Sequence, residues 1–150
     1  FARDSEFVVL EQRAAACRLM LADGPATHAV FPFAFRLEVE YALREATLSV
    51  TFTVTNPGEG LLPCSIGAHP AFAWPLPGAA HKQAHRIEFE QAEGIGYRLR
   101  DGLLDPTPVG LPLNGRNLGL REELFRESAL ILLNAASRRL RYVAPGATGI

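Results

Sequence analysis

The stretch Phe35-Arg36-Leu37-Glu38-Val39-Glu40-Tyr41, followed shortly by Leu48-Ser49-Val50-Thr51-Phe52-Thr53-Val54-Thr55, decides the fold class. In the first run the apolar residues take every second place, which is the period of a strand with one face buried and one wet. The second run alternates again and is rich in β-branched residues, which favour a pleated surface. The link Leu43-Arg44-Glu45-Ala46 is short, so the two runs are expected to pair as an antiparallel hairpin.

Outward from this hairpin the punctuation is that of turns. Asn56-Pro57-Gly58-Glu59-Gly60 closes the second strand with residues suited to turn geometry. Shorter strands are expected at 6–11, 18–22, 85–89, 95–98, 129–133 and 140–143, each bounded by Gly, Pro, Asp or Asn. One helical turn is expected at 121–126, where Leu120, Leu124 and Phe125 share a side. Many short strands and little helix point to an all-β protein, a sandwich or barrel, and no repeat or linker divides the chain, so it reads as one domain.

The chain has 150 residues, 48% of them hydrophobic, and a mean hydropathy just above zero, enough for a packed core. A formal charge of −1, with both signs dispersed, argues against nucleic acid or an anionic membrane surface as partner. No apolar run reaches the roughly 18 residues of a membrane helix, and no leader pattern opens the chain, so the expected location is cytoplasmic. Cys17 and Cys64 lie far apart without metal-ligand spacing and are expected as reduced, buried thiols. The start at Phe1 and the end in Gly146-Ala147-Thr148-Gly149-Ile150 read as an internal stretch of a longer protein.

The residues best placed for chemistry lie in Ser65-Ile66-Gly67-Ala68-His69-Pro70-Ala71-Phe72-Ala73-Trp74. An imidazole titrating near neutrality can give or take a proton, Pro70 restrains the backbone beside it, and Phe72 and Trp74 are faces on which a sugar ring stacks. The same pattern also suits a packed histidine bonded to the backbone, with the aromatics in the core. His81 and His85 are spaced for a metal only on a helix, which the preceding Pro77-Gly78 argues against, so no metal is expected. His28 reads as a loop residue, and Glu38 and Glu40 as the solvated face of a strand. A nucleophile elbow and a phosphate-cradling glycine loop are both missing, which removes the usual support for a hydrolase or a nucleotide enzyme.

The order Phe31-Pro32-Phe33, two alternating strands, Thr55-Asn56-Pro57-Gly58, then Gly67-Ala68-His69-Pro70-Ala71-Phe72 resembles the aldose 1-epimerase superfamily, in its LacX-like branch. Phe1-Ala2-Arg3-Asp4 and the stretch from Leu124 to Arg138 are similar to two further family segments. The resemblance implies a galactose mutarotase-like antiparallel β-sandwich, incomplete at both ends here, and a cofactor-free interconversion of the α and β anomers of a sugar. It implies His69 as the general acid on the ring oxygen, with Arg3, Phe72 and Trp74 as candidate sugar contacts. It places the family's second histidine before Phe1 and its base glutamate after Ile150. Ala73 and Ser128 stand where relatives often carry Asn and Asp, which leaves open an inactive carbohydrate-binding or sensory protein of the same fold.

Overall fold

The hairpin around Glu45 grows into a four-stranded antiparallel meander because its alternation continues in the neighbouring strands. In the computed structural model, which describes residues 1–150, β1 (Val8–Arg13), β2 (Ala16–Ala22), β3 (Arg36–Arg44) and β4 (Thr47–Thr55) lie in the order β1-β2-β3-β4. Pairing Leu37 with Val54, Val39 with Phe52, Tyr41 with Val50 and Leu43 with Leu48 puts eight apolar residues on one face of the β3–β4 ladder. Leu19 and Leu21 of β2 join the same face, paired with Val39 and Leu37. The opposite face carries Arg18, Arg36, Glu38, Glu40 and the threonines of β4, with Glu38 bridged to Arg36 and, at 3.8 Å, to Arg18.

The apolar face is buried at one end only. Leu21, Phe35, Leu37 and Val39 form the core, with Ala2, Phe7, Phe31 and Leu62 against it. Every residue of β4 is exposed, Leu48 by 57% and Phe52 by 37%, so the expected buried face is confined to β2 and β3. β4 is the last strand of its sheet, and only β3 covers it laterally. A single turn, α1 (Pro25–His28), enters from Gly24, whose N–H donates to Thr27 Oγ1 at 2.9 Å. At the far end of β4, Asn56 Oδ1 accepts from Gly58 N–H and Asn56 Nδ2 donates to Gly60 O, closing the expected turn.

The meander belongs to the first of two compact units, Phe1–Ala68; the second is His69–Ile150. In the second, β5 (Arg86–Phe89) is flanked by β10 (Leu140–Val143) and β9 (Asn117–Gly119), with β8 (Leu113–Asn114) outside β9. β6 (Ile95–Arg100) and β7 (Leu103–Gly110) form a separate antiparallel pair. The core gathers Leu76, Phe89, Leu118, Leu120, Leu124 and Tyr142. Gly78 (φ 86°) and Gly146 (φ 78°) pass so closely that a Cβ on Gly78 would lie 2.7 Å from Gly146 O, a contact only glycine permits. No helix is long and apolar enough to cross a membrane.

Two expectations are corrected, the strand at 129–133 and the buried cysteines, and the single helical turn is found where expected. The strand at 129–133 is a lone bridge, Ile131 to Tyr97, since the chain turns away on either side. The helical turn is a 3-10 turn, Glu122–Phe125. The cysteines are free, but Cys64 is exposed and Cys17 half-buried, because the first follows the loop after β4 and the second lies beside the open end of the sheet.

Candidate active site around His69

His69 opens the second unit on a segment that belongs to no helix or strand, and its side chain faces solvent. Pro70, Ala71 and Phe72 follow in the same irregular, exposed conformation. Phe72 is 53% exposed and its ring leans on Tyr142, with centroids 6.4 Å apart. The backbone becomes fixed only at Ala73–Leu76. There Tyr142 Oη donates to Ala73 O at 3.1 Å, Trp74 Nε1 donates to Lys82 O at 2.9 Å, and Leu76 N–H donates to His85 Nε2 at 2.9 Å. The Trp74–Pro75 peptide is cis.

Of the four residues singled out in the sequence, the second unit carries His69, Phe72 and Trp74 on one short segment. Trp74 is half-buried: the Lys82 ammonium lies 5.2 Å from its ring centroid and Phe125 meets it edge-on at 6.2 Å. Arg3 lies in the first unit, on an exposed 3-10 turn, with its guanidinium doubly bonded to Asp4 at 2.9 Å. That bond raises the Arg3 pKa and holds the Asp4 carboxyl below the usual carboxylate range. The first unit also has an apolar cavity of about 200 Å³, whose lining includes Phe1, Phe31, Phe35, Leu62, Cys64 and Ile66.

His85, expected in a polar loop beside His81, is instead the most enclosed side chain of the chain, 1% exposed. Its Nε2 accepts from Leu76 N–H, so the ring proton resides on Nδ1, which donates to Lys82 O at 2.9 Å. Both ring nitrogens are taken by backbone groups, and no lone pair is open to a metal. Tyr142 lies against this ring at 5.3 Å, and burial raises its pKa, which keeps the phenol protonated as donor to Ala73. Nothing near His85 in sequence announces this role, because its partner is the backbone N–H of Leu76, on a separate segment.

Ser128 also serves the backbone, its Oγ accepting from Leu99 N–H at 3.1 Å. Glu93 is buried; the Ser137 side chain, and then the Ala136 and Ser137 N–H groups that donate to its carboxylate at 3.0 and 2.8 Å, lower its pKa.

The family profile described as aldose 1-epimerase matches residues 1–104, a stretch that contains the meander and the His69 segment. The chain belongs to the aldose 1-epimerase family. Among its relatives, the plasmid and chromosomal forms of protein LacX from Lactococcus lactis subsp. lactis are 34% identical over 113 residues, covering 71% of this chain and 37% of LacX. A galactose mutarotase related enzyme from Lactobacillus acidophilus superposes with a TM-score of 0.83 at 24% identity, covering 97% of this chain and 49% of that one. A galactose mutarotase-like protein from Lactobacillus casei gives 0.82 at 26% identity, covering 97% and 51%. The antiparallel architecture is therefore that of the galactose mutarotase-like β-sandwiches, and the chain spans 37% of the length of the LacX relatives it matches.

Proposed function

We propose that the protein carrying this chain interconverts the α and β anomers of an aldose, with His69 as the general acid. The observation that carries this reading is the solvent-facing imidazole within Gly67-Ala68-His69-Pro70-Ala71-Phe72, inside the stretch matched by the aldose 1-epimerase family. An imidazole facing solvent can meet a ring oxygen, whereas one enclosed like His85 cannot. Proton donation to the ring oxygen while a base removes the proton of the anomeric hydroxyl opens the ring, and rotation and reclosure give the other anomer. Each such group contributes on the order of 10²–10⁴-fold. The resemblance implies a glutamate as the base. Phe72, exposed three residues after His69, offers a face to the sugar, and Trp74, half-buried on the same segment, is a second candidate contact.

Anomer exchange by NMR saturation transfer, on the full-length protein and on His69→Asn, tests the assignment. The variant is expected to lose about two orders of magnitude or more; equal rates would remove His69 from the mechanism. A second reading, a sugar-binding protein without turnover, is favoured by Ala73, which offers only its backbone carbonyl, and by Ser128, whose hydroxyl is bonded to the backbone. Saturable heat of sugar binding with anomer exchange at the uncatalysed rate would establish it instead.

A further inference from the structure

We propose that His85 and Tyr142 form a clamp that positions the His69 segment, His85 as acceptor for Leu76 N–H and Tyr142 as donor to Ala73 O. This role rests on the reading of His69 as the acid. From His69 to Pro75 the chain lies in no helix or strand, so no ladder sets its course. Its fixed points are the three side-chain bonds at Ala73, Trp74 and Leu76.

The three bonds converge on one knot. Lys82 O receives both the indole N–H of Trp74 and Nδ1–H of His85, so the imidazole is locked in one tautomer with its lone pair aimed at Leu76. Tyr142 packs on the imidazole at 5.3 Å and reaches past it to Ala73. Tyr142 stands in β10 and His85 directly precedes β5, and these strands pair through Tyr142 and Ile87. The sheet is thus the anvil on which the segment is held, and His69 lies four residues from the nearest fixed point. An acid must sit within hydrogen-bond reach of the oxygen it protonates, and a displacement of about 1 Å can cost on the order of 10²-fold. With both nitrogens of His85 committed to backbone, its contribution is position and not proton transfer.

The test uses the full-length protein labelled with ¹⁵N, and variants assayed by anomer exchange. The parent is expected to show His85 protonated on Nδ1 and a scalar coupling between His85 Nε2 and the Leu76 amide nitrogen across their hydrogen bond. Tyr142→Phe and His85→Leu are expected to lower kcat about 10- to 100-fold with KM changed less than about threefold. His85→Gln, whose amide can donate to Lys82 O and accept from Leu76, is expected to recover most of the loss. A proton on Nε2 of His85, or parent kcat in folded His85→Leu and Tyr142→Phe, would overturn the proposal. Should His85→Leu not fold, Tyr142→Phe decides alone, since it removes a single oxygen. If His69→Asn retains parent activity, the assignment of the acid fails, and the tautomer and coupling still report whether the clamp exists.

Discussion

Replacing His85 by Leu should destabilise the second unit by an amount the structure allows one to work out. Leu76 is 4% exposed, and its N–H has the imidazole Nε2 as partner, so the substitution strands a buried donor at about 1–3 kcal/mol. Loss of the ring pairing with Tyr142, at 5.3 Å, adds about 0.5–1.5 kcal/mol, because leucine restores apolar contact but not the aromatic geometry. The carbonyl of Lys82 is not orphaned, since Trp74 Nε1 still donates to it. The sum is about 1.5–4.5 kcal/mol, a large share of the roughly 5–15 kcal/mol that stabilises an ordinary domain. Urea unfolding of parent and variant measures the total, and amide hydrogen exchange at Leu76 isolates the local part. A loss below about 0.5 kcal/mol with Leu76 protection intact would refute the reasoning, for it would mean that the buried N–H has another acceptor.

Other expectations concern single features. Gly78→Ala places a Cβ 2.7 Å from Gly146 O at φ 86°, and should cost about 1–3 kcal/mol by urea unfolding, whereas Gly60→Ala, with nothing within 4 Å, should cost far less. The Glu93 pKa is lowered in the fold, so the carboxylate's stabilisation is complete above its unfolded value near ~4.3 and disappears as pH falls through the lower folded value. Glu93→Gln should remove that part of the acid dependence, and an unchanged slope of unfolding midpoint against pH would speak against it. Cys64, exposed, should react with a thiol reagent in native buffer well before half-buried Cys17, and equal rates would contradict the burial described.

The meander was legible because Leu37, Val39, Val50, Phe52 and their neighbours alternate without interruption, and a period of two leaves one reading. β7 was not legible, since Pro106 and Pro108 read as strand breakers. Both fall where the register with β6 shifts: Gly96 pairs with Val109 and Arg98 with Asp105, leaving 106–108 opposite Tyr97. Tyr97 bonds instead with Ile131 in both directions, at 2.7 and 3.0 Å, so the prolines are asked for no ladder donor. The His69 motif was visible from its residue order, whereas His85 was hidden. Its flanks, Lys82 and Gln83, look like solvent-facing loop, and the acceptor it supplies is needed by a distant backbone N–H.

The strand order of the first sheet also bears on how the chain reaches its native form. Each of its strands pairs only with its sequence neighbour, and two-residue links join β1 to β2 and β3 to β4, so these pairs close as hairpins on a timescale of about 1–10 μs. β5, by contrast, waits for β10, whose Tyr142 pairs with Ile87 across more than fifty intervening residues. On a ribosome the meander can zip as soon as Thr55 has emerged, while the strand that presses Tyr142 onto His85, Leu140–Val143, is synthesised well after it. The segment bearing His69 is therefore released early and tied down late, after a wait set by translation at about 5–20 residues per second.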